Sequence, residues 1–214
     1  VILNFTLPAV VLDSLVRINL KAEYLFLPLI VLGFSLLLFG VVMASSLRKP
    51  PAAPLIPMSV VGFNIGLFAY PLVEALFGDK ALGILVFCDI GNSLIIFGLV
   101  YAYAALQADS RAADALWQDV ALHIGKKLAT FVPLLSYLAG FILSISGTGL
   151  PPLVDQIVGV GKNANMALVL LLLGFSFSAD IGKREWKKVG TILSIRYAAG
   201  AAAGIALYLL LPFE

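Results

Sequence analysis

Long apolar runs, separated by charged residues, proline or glycine, constrain this chain more than any other feature of its 214 residues. A helix of about 20 apolar residues crosses a hydrocarbon core about 30 Å thick. Only 12% of the residues are charged, whereas a soluble domain has about 25%. There are therefore too few charged residues to cover the surface of a soluble domain. We therefore predict an all-α membrane protein, a multi-span helical bundle. Its seven runs cover residues 1–15, 24–46, 55–77, 81–106, 128–147, 163–179 and 189–212.

Basic residues are distributed unevenly between alternate loops of this predicted bundle. Nine Lys and Arg residues lie in one set of loops and four in the other. Because basic residues are retained on the cytoplasmic side, loops 47–54, 107–127 and 180–188 are predicted to be cytoplasmic, in a multi-pass protein of the cell inner (plasma) membrane. The net charge of +2 gives no reason to expect a nucleic-acid partner.

The most polar stretch, residues 107–127, divides the chain into two parts, 1–106 and 128–214. Short charged hinges at 17–24 and 180–186 resemble each other and are predicted on opposite sides of the membrane. Equivalent elements of opposite orientation indicate an inverted repeat, although apolar sequences also align with one another by chance. Within 107–127 an amphipathic interfacial helix is predicted. Its apolar face contains Ala113, Leu116, Trp117, Val120 and Ile124.

The third apolar run has the composition of a broken helix. Pro71 cannot donate a helical hydrogen bond, and Gly62 and Gly66 lower the cost of unwinding. Free backbone groups inside a membrane must face protein or a water-filled cavity, and the start of a half-helix attracts anions. Asn64 adds amide donors one or two turns before Pro71. We predict an anion site here. A simple proline kink, with Asn64 bonded to a neighbouring helix, is the alternative.

Other polar residues inside apolar runs are candidates for supporting roles. Asp89 and Asn92 share one helical face, and a carboxylate at this depth costs about 2.5 kcal/mol or more. Asp89 is therefore either a proton or cation site or a carboxyl that only fixes helix packing. Asn163 and Asn165 begin the sixth run, where at least one is predicted to cap a helix. Arg196 is predicted to snorkel or pair near the cytoplasmic side.

The sequence contains no motif of an enzyme. His123 is the only histidine, Cys88 is the only cysteine, and no metalloprotease, nucleophile-elbow or phosphate-loop motif is present. We therefore predict no catalytic residues, no cofactor and no metal. Gly200 and Gly204 form a small-xxx-small pair that favours close helix packing.

Several of these stretches together resemble the auxin efflux carrier family of membrane transporters, whose bacterial members include malate and malonate permeases. Residues 62–78, with Gly-Phe-Asn-Ile-Gly followed by Tyr-Pro, are similar to the family's fourth helix, which reads Asn-Thr-Gly and then Pro. Four further stretches resemble the second, fifth, sixth and seventh helices. These are residues 4–9, 86–92, 133–140 and 161–174. The resemblance covers nearly the whole chain.

The resemblance implies a ten-helix carrier built from two inverted five-helix repeats, each with a broken fourth helix at the substrate site. On that template the chain corresponds to helices two to eight. Ile65 replaces the family's threonine, and Met166 stands where a proline is usual. The implied substrate contacts are Asn64, Ile65, Gly66 and Pro71. The implied coupling or support residues are Asp89, Asn92, Asn163 and Asn165.

The function implied is secondary transport of a small organic anion, such as a dicarboxylate or an auxin-like acid, by alternating access in a lipid bilayer. The coupling ion, a proton or sodium, and a homodimeric assembly are left open. One alternative is a sodium-coupled carrier like the bile acid symporters. Another is a non-transporting membrane scaffold or partner subunit.

Overall fold

The computed structural model describes residues 1–18, 21–46, 55–108, 122, 125–126, 129–176 and 182–210. All regular structure in these residues is helical, as predicted. Four α-helices, α1, α2, α4 and α5, are each preceded by a short π-helical or 3₁₀ stretch, namely Ile2–Thr6, Ala22–Phe26, Ile65–Ala69 and Ile95–Val100. The α-helices are α1 (Leu7–Arg17), α2 (Leu27–Ser46), α3 (Leu55–Val60), α4 (Tyr70–Leu94), α5 (Tyr101–Ala108), α6 (Val132–Ser146), α7 (Pro152–Ser176) and α8 (Lys183–Leu210).

Four helical stretches of the described part are long and apolar enough to cross a membrane. They are Glu23–Ala44, Ile65–Ala104, Pro152–Ser176 and Trp186–Leu209. Large apolar side chains such as Leu153 and Phe175 are exposed on their outer faces, where lipid rather than water is the favourable solvent. The described helices therefore support a helical membrane protein.

The helix α4 is a hairpin. Gly78 has a φ of 76°, a left-handed conformation that only glycine adopts without strain. A Cβ built on Gly66 would lie 3.6 Å from Oδ2 of Asp89, although a straight helix would separate the two residues by about 34 Å. The chain therefore reverses at Gly78, and the third and fourth apolar runs are separate helices. We call residues 70–77 the first arm of α4 and residues 79–94 its second arm.

The helices pack in two groups. In the α1 group, α1 packs on α6 and α7, and a Cβ on Gly161 of α7 would lie 2.8 Å from Cβ of Ala9. In the α4 group, α2 packs on α4, and α8 packs on α3. A buried core that includes Leu15 of α1 and Phe87 of α4 connects the two groups.

Ion pairs join the two groups near the Gly78 turn. The Nζ atom of Lys162 on α7 lies 2.9 Å from Oδ2 of Asp13 and 2.7 Å from Oδ1 of Asp79. It also lies 3.4 Å from Oε1 of Glu74. Asp13, which is buried, accepts a second bond from Nε of Arg17 at 2.6 Å. Lys162 therefore connects α1 and α7 to both arms of α4, and we call this set the Lys162 cluster.

The sixth apolar run begins earlier than predicted. The helix α7 starts at Pro152, so Asn163 and Asn165 lie inside it, and the prediction that one of them caps this helix is wrong. Lys162 also lies inside this helix. It is accommodated within the helix because three carboxylates surround it.

Several predictions lie wholly or partly outside the described residues. These include loop 47–54, most of the amphipathic segment 107–127 with Trp117 and His123, and residues 177–181. Gly200 and Gly204 are described, but a Cβ built on either would meet no described neighbour within 4 Å. Their predicted packing partner is therefore not found in this part of the chain.

Gly91 marks a close approach of α2 to the second arm of α4. A Cβ at this position would overlap the carbonyl oxygen of Pro28, which belongs to the backbone and cannot rotate away. We expect Gly91→Ala to lower the free energy of unfolding by about 1–3 kcal/mol, measured by thermal unfolding in detergent. Gly98→Ala is the matched control, because a Cβ there meets nothing within 4 Å. Equal losses in both variants would contradict this account.

Candidate functional site

The third run is interrupted between Val60 and Ile65. The helix α3 ends at Val60, Gly62 has a φ of 85°, and helical structure resumes at Ile65. The predicted break is present, but the prediction that Pro71 causes it is wrong, because Pro71 lies within the resumed helix. There the N–H group of Tyr70 bonds the carbonyl of Ile65, five residues back. This wide π-helical turn accommodates a residue that cannot donate.

Asn92, on the second arm of α4, replaces hydrogen bonds that the break removes. Its Nδ2 donates to the carbonyl of Phe63 at 2.8 Å, and its Oδ1 accepts from the N–H of Phe63 at 2.7 Å. The side chain is 1% exposed. Because an amide presents a donor beside an acceptor, one side chain satisfies both backbone groups of Phe63. Asn92 therefore holds the unwound segment, residues 61–64, against α4.

Arg196 of α8 binds the other side of the break. Its Nη1 donates to the carbonyl of Ser59 at 2.7 Å, and its Nη2 donates to the carbonyl of Gly62 at 3.0 Å. Its guanidinium carbon lies 4.8 Å from the centre of the Phe63 ring. Carbonyls at a helix C-terminus carry partial negative charge, so a cation is favourable here. The sequence predicted only that Arg196 snorkels or pairs. The available signal for a partner inside the membrane was that Arg196 is a single charged residue in an apolar run.

Asp89 is buried in a network of hydroxyl and amide groups. Its Oδ1 accepts from Nδ2 of Asn92 at 2.9 Å, and its Oδ2 accepts from the hydroxyl of Tyr137 at 2.7 Å. The hydroxyls of Tyr137 and Tyr70 are 3.2 Å apart. Since Tyr137 belongs to α6, this network joins the two helix groups. Neither tyrosine was predicted from the sequence, because a tyrosine in an apolar run is ordinary.

A cavity of about 410 Å³ lies beside the break. Its described polar lining includes Ser93 and Tyr137, and its walls include apolar residues of both helix groups. The predicted site residues that line it are Asn64, Ile65, Gly66, Asp89 and Asn92. Small-molecule sites commonly have this composition, with a few polar groups in a mainly apolar wall.

Three predicted site residues do not line this cavity. Pro71 is buried in α4. Asn165 accepts a hydrogen bond at 2.8 Å from the hydroxyl of Thr6, which fixes α7 to the stretch before α1. Asn163 is exposed on α7. Sequence spacing alone could not separate these residues from those at the break.

The helix that resumes at Ile65 directs its N-terminus toward the cavity. Oδ1 of Asn64 accepts from the N–H of Leu67 at 3.2 Å and so caps this helix. The amide donors of Asn64 and the N–H of Gly66 belong to residues that line the cavity. A helix N-terminus carries partial positive charge and favours anions. The arrangement can therefore bind a small molecule with one anionic end and an apolar body.

No protein-family model, curated protein or solved structure matches the chain. The resemblance to auxin efflux carriers therefore depends on the sequence motifs alone, chiefly those of residues 62–78. Any function has to be inferred from the chemistry of the cavity and of the groups around it.

Proposed function

We propose that this chain is part of a secondary transporter for a small organic anion, related to the auxin efflux carriers and working by alternating access. The observation that carries the proposal is the cavity beside the unwound segment, because a broken helix exposes backbone groups that can bind a substrate inside a membrane. The family resemblance of residues 62–78 supports the same conclusion.

The groups around the cavity favour an anion with an apolar body. The side-chain amide of Asn64 and the backbone of Gly66, both in the cavity lining, supply N–H donors, and the helix N-terminus supplies partial positive charge. Arg196 adds a full positive charge behind Phe63. The remaining wall, which includes Ile96 and Phe97, is apolar. A dicarboxylate or an auxin-like acid has this chemistry.

The position of the cavity supports alternating access. The stretch before α1 contributes Leu3, and α6 contributes Pro133 and Tyr137, whereas the α4 group contributes Asn64 and Asp89. A site lined by two separately packed groups can open to one side or the other when one group moves against its neighbour. The Lys162 cluster joins the groups at one end, where such a movement would have to break ion pairs.

Residues 1–106 and 128–214 are inverted repeats of a carrier of the ten-helix type, and residues 107–127 link them. The protein lies in the inner (plasma) membrane with loops 47–54, 107–127 and 180–188 in the cytoplasm. The Lys162 cluster then belongs to the opposite side.

Asn64→Ala tests the assignment of the site. We expect the affinity for labelled malonate or an indole acid to fall roughly tenfold to hundredfold, because a hydrogen bond to a charged group contributes about 1.5–3 kcal/mol. The measurements are equilibrium binding and uptake by the purified protein in liposomes. Asn163→Ala is the matched control, since Asn163 is exposed and does not line the cavity. Anion binding that is identical in both variants would remove the assignment.

The alternatives from the sequence differ in what they require of this site. A non-transporting scaffold has no need of a cavity with polar groups at a broken helix, so the cavity favours a carrier. A sodium-coupled carrier like the bile acid symporters requires a sodium site. The oxygens around Asp89 bear on that question.

A further inference from the structure

We infer that the ion coupled to this site is a proton, held by Asp89 between Tyr137 and Asn92, and that the proton binds together with the anion. The coupling to an anion rests on the proposed function. The proton site itself rests only on the contacts of Asp89, so the two parts can be tested separately.

The contacts of Asp89 satisfy both of its protonation states. When it is ionised, it accepts hydrogen bonds from Tyr137 and Asn92. When a proton enters through the cavity and binds Oδ2, that oxygen can donate to the Tyr137 hydroxyl, which then turns its own hydrogen toward Tyr70. The two hydroxyls are 3.2 Å apart, and either can be the donor. Proton uptake therefore requires only the rotation of hydroxyl groups.

A sodium ion fits the same place poorly. Sodium sites at unwound helices use carbonyl and carboxylate oxygens, but the oxygens here already accept from N–H or O–H donors. The carbonyl of Phe63 accepts from Asn92, and both oxygens of Asp89 are bonded. The carbonyls of Ser59 and Gly62 accept from the guanidinium of Arg196, whose full positive charge would repel a second cation.

Among the described residues around the cavity, Asp89 is the group that we expect to gain and lose the proton. It is the only carboxyl among the described residues that line the cavity. The second arm of α4 contributes Asn92 and Ser93, the first arm contributes Tyr70, α6 contributes Tyr137, and α8 contributes Arg196 across Phe63. The charges of α1 and α7, Asp13, Arg17 and Lys162, bind one another or other carboxylates near the Gly78 turn. On α2, the backbone of Pro28 approaches Gly91.

Protonation of Asp89 and binding of an anion favour each other. An anion in the cavity would be repelled by an ionised Asp89, whereas a neutral Asp89 leaves the helix N-terminus at Ile65 and the charge of Arg196 to attract it. Because linkage is reciprocal, a bound anion strengthens proton binding by the same factor. The proton thus accompanies the anion through the site.

Infrared difference spectra between acid and neutral pH test the proton site without any transport. We expect the wild-type protein to show the carbonyl stretch of a protonated buried carboxyl, and we expect Asp89→Asn to lack it. Tyr137→Phe should shift the band, because one hydrogen bond is lost. Glu23→Gln is the control, since Glu23 is exposed, and it should keep the band. A band that persists in Asp89→Asn, or that sodium chloride abolishes while potassium chloride does not, would overturn the inference.

Binding of a sulfonate analogue, whose charge does not change with pH, tests the coupling. We expect wild-type affinity to fall by up to about tenfold per pH unit once the pH rises far enough to ionise Asp89, and Asp89→Asn to keep the high affinity of acid pH throughout. Uptake should respond to a pH gradient and not to a sodium gradient. Uptake driven by sodium alone would overturn the inference and leave the carrier proposal standing. If no anion binds while the infrared band is present, the carrier proposal fails and the proton site remains.

Discussion

Asn92→Leu is expected to destabilise the protein by about 2–6 kcal/mol and to abolish anion binding. Leucine has nearly the shape of asparagine, but it removes the partner of the Phe63 N–H and one of the two hydrogen bonds that the Phe63 carbonyl accepts. The other bond to that carbonyl, from the N–H of Ile65 at 2.9 Å, remains. An unpaired backbone N–H costs about 1–3 kcal/mol, and each of the two other lost hydrogen bonds, to the carbonyl of Phe63 and to Oδ1 of Asp89, contributes about 0.5–1.5 kcal/mol. The unwound segment should then detach from α4, which would deform the cavity wall.

The measurements are thermal unfolding in detergent and equilibrium binding of labelled malonate. Asn163→Leu makes the same substitution at an exposed asparagine. It therefore controls for the loss of one side-chain amide from the chain. We expect it to unfold and bind as the wild type does. An Asn92→Leu protein of wild-type stability would mean that the unwound segment is held by other contacts, and the role of Asn92 would have to be abandoned.

The local features of this site could be predicted from the sequence. Asp89 and Asn92 are three residues apart, which places them on one helical face, and Gly62 and Asn64 are residues that favour a break. These features depend on neighbours along the chain. The position of the break differed from prediction because the π-helical turn at Ile65–Ala69 accommodates Pro71, and this turn has no clear sequence signal.

The partners of these residues could not be predicted, because they come from distant parts of the chain. Tyr137 reaches Asp89 from α6, and Arg196 reaches Gly62 from α8. The three carboxylate partners of Lys162 belong to other helices as well. In each case a polar residue in an apolar run was visible in the sequence, but what satisfies it depends on helix packing.

Polar side-chain contacts connect the α1 group with the α4 group both in the Lys162 cluster and in the bonding of Tyr137 to Asp89 and Tyr70. Ion pairs have one favoured arrangement, whereas the tyrosine contact can reverse its direction when Asp89 is protonated. The contact of Tyr137 with Asp89 and Tyr70 is therefore the one through which the proposed substrate and proton alter the packing of the two groups.

Arg196→Met is expected to have the second large effect, a loss of about 3–6 kcal/mol in stability with a fall in anion affinity. Methionine retains an apolar stem of similar length but removes both hydrogen bonds to the carbonyls of Ser59 and Gly62. Hydrogen bonds to a charged group contribute about 1.5–3 kcal/mol each. The substitution also removes the positive charge beside Phe63, so the attraction for an anion should weaken.

Arg196→Lys separates these two effects. Lysine retains the charge but cannot present two parallel donors to two carbonyls as guanidinium does, so stability should fall while most of the anion affinity is kept. Thermal unfolding and malonate binding are measured together for both variants. Lys187→Met is the control on the same helix, because Lys187 is exposed, and it should match the wild type in both. If Arg196→Met unfolds at the same temperature as Lys187→Met, the guanidinium does not stabilise the break, and the carbonyls of Ser59 and Gly62 must be satisfied in another way.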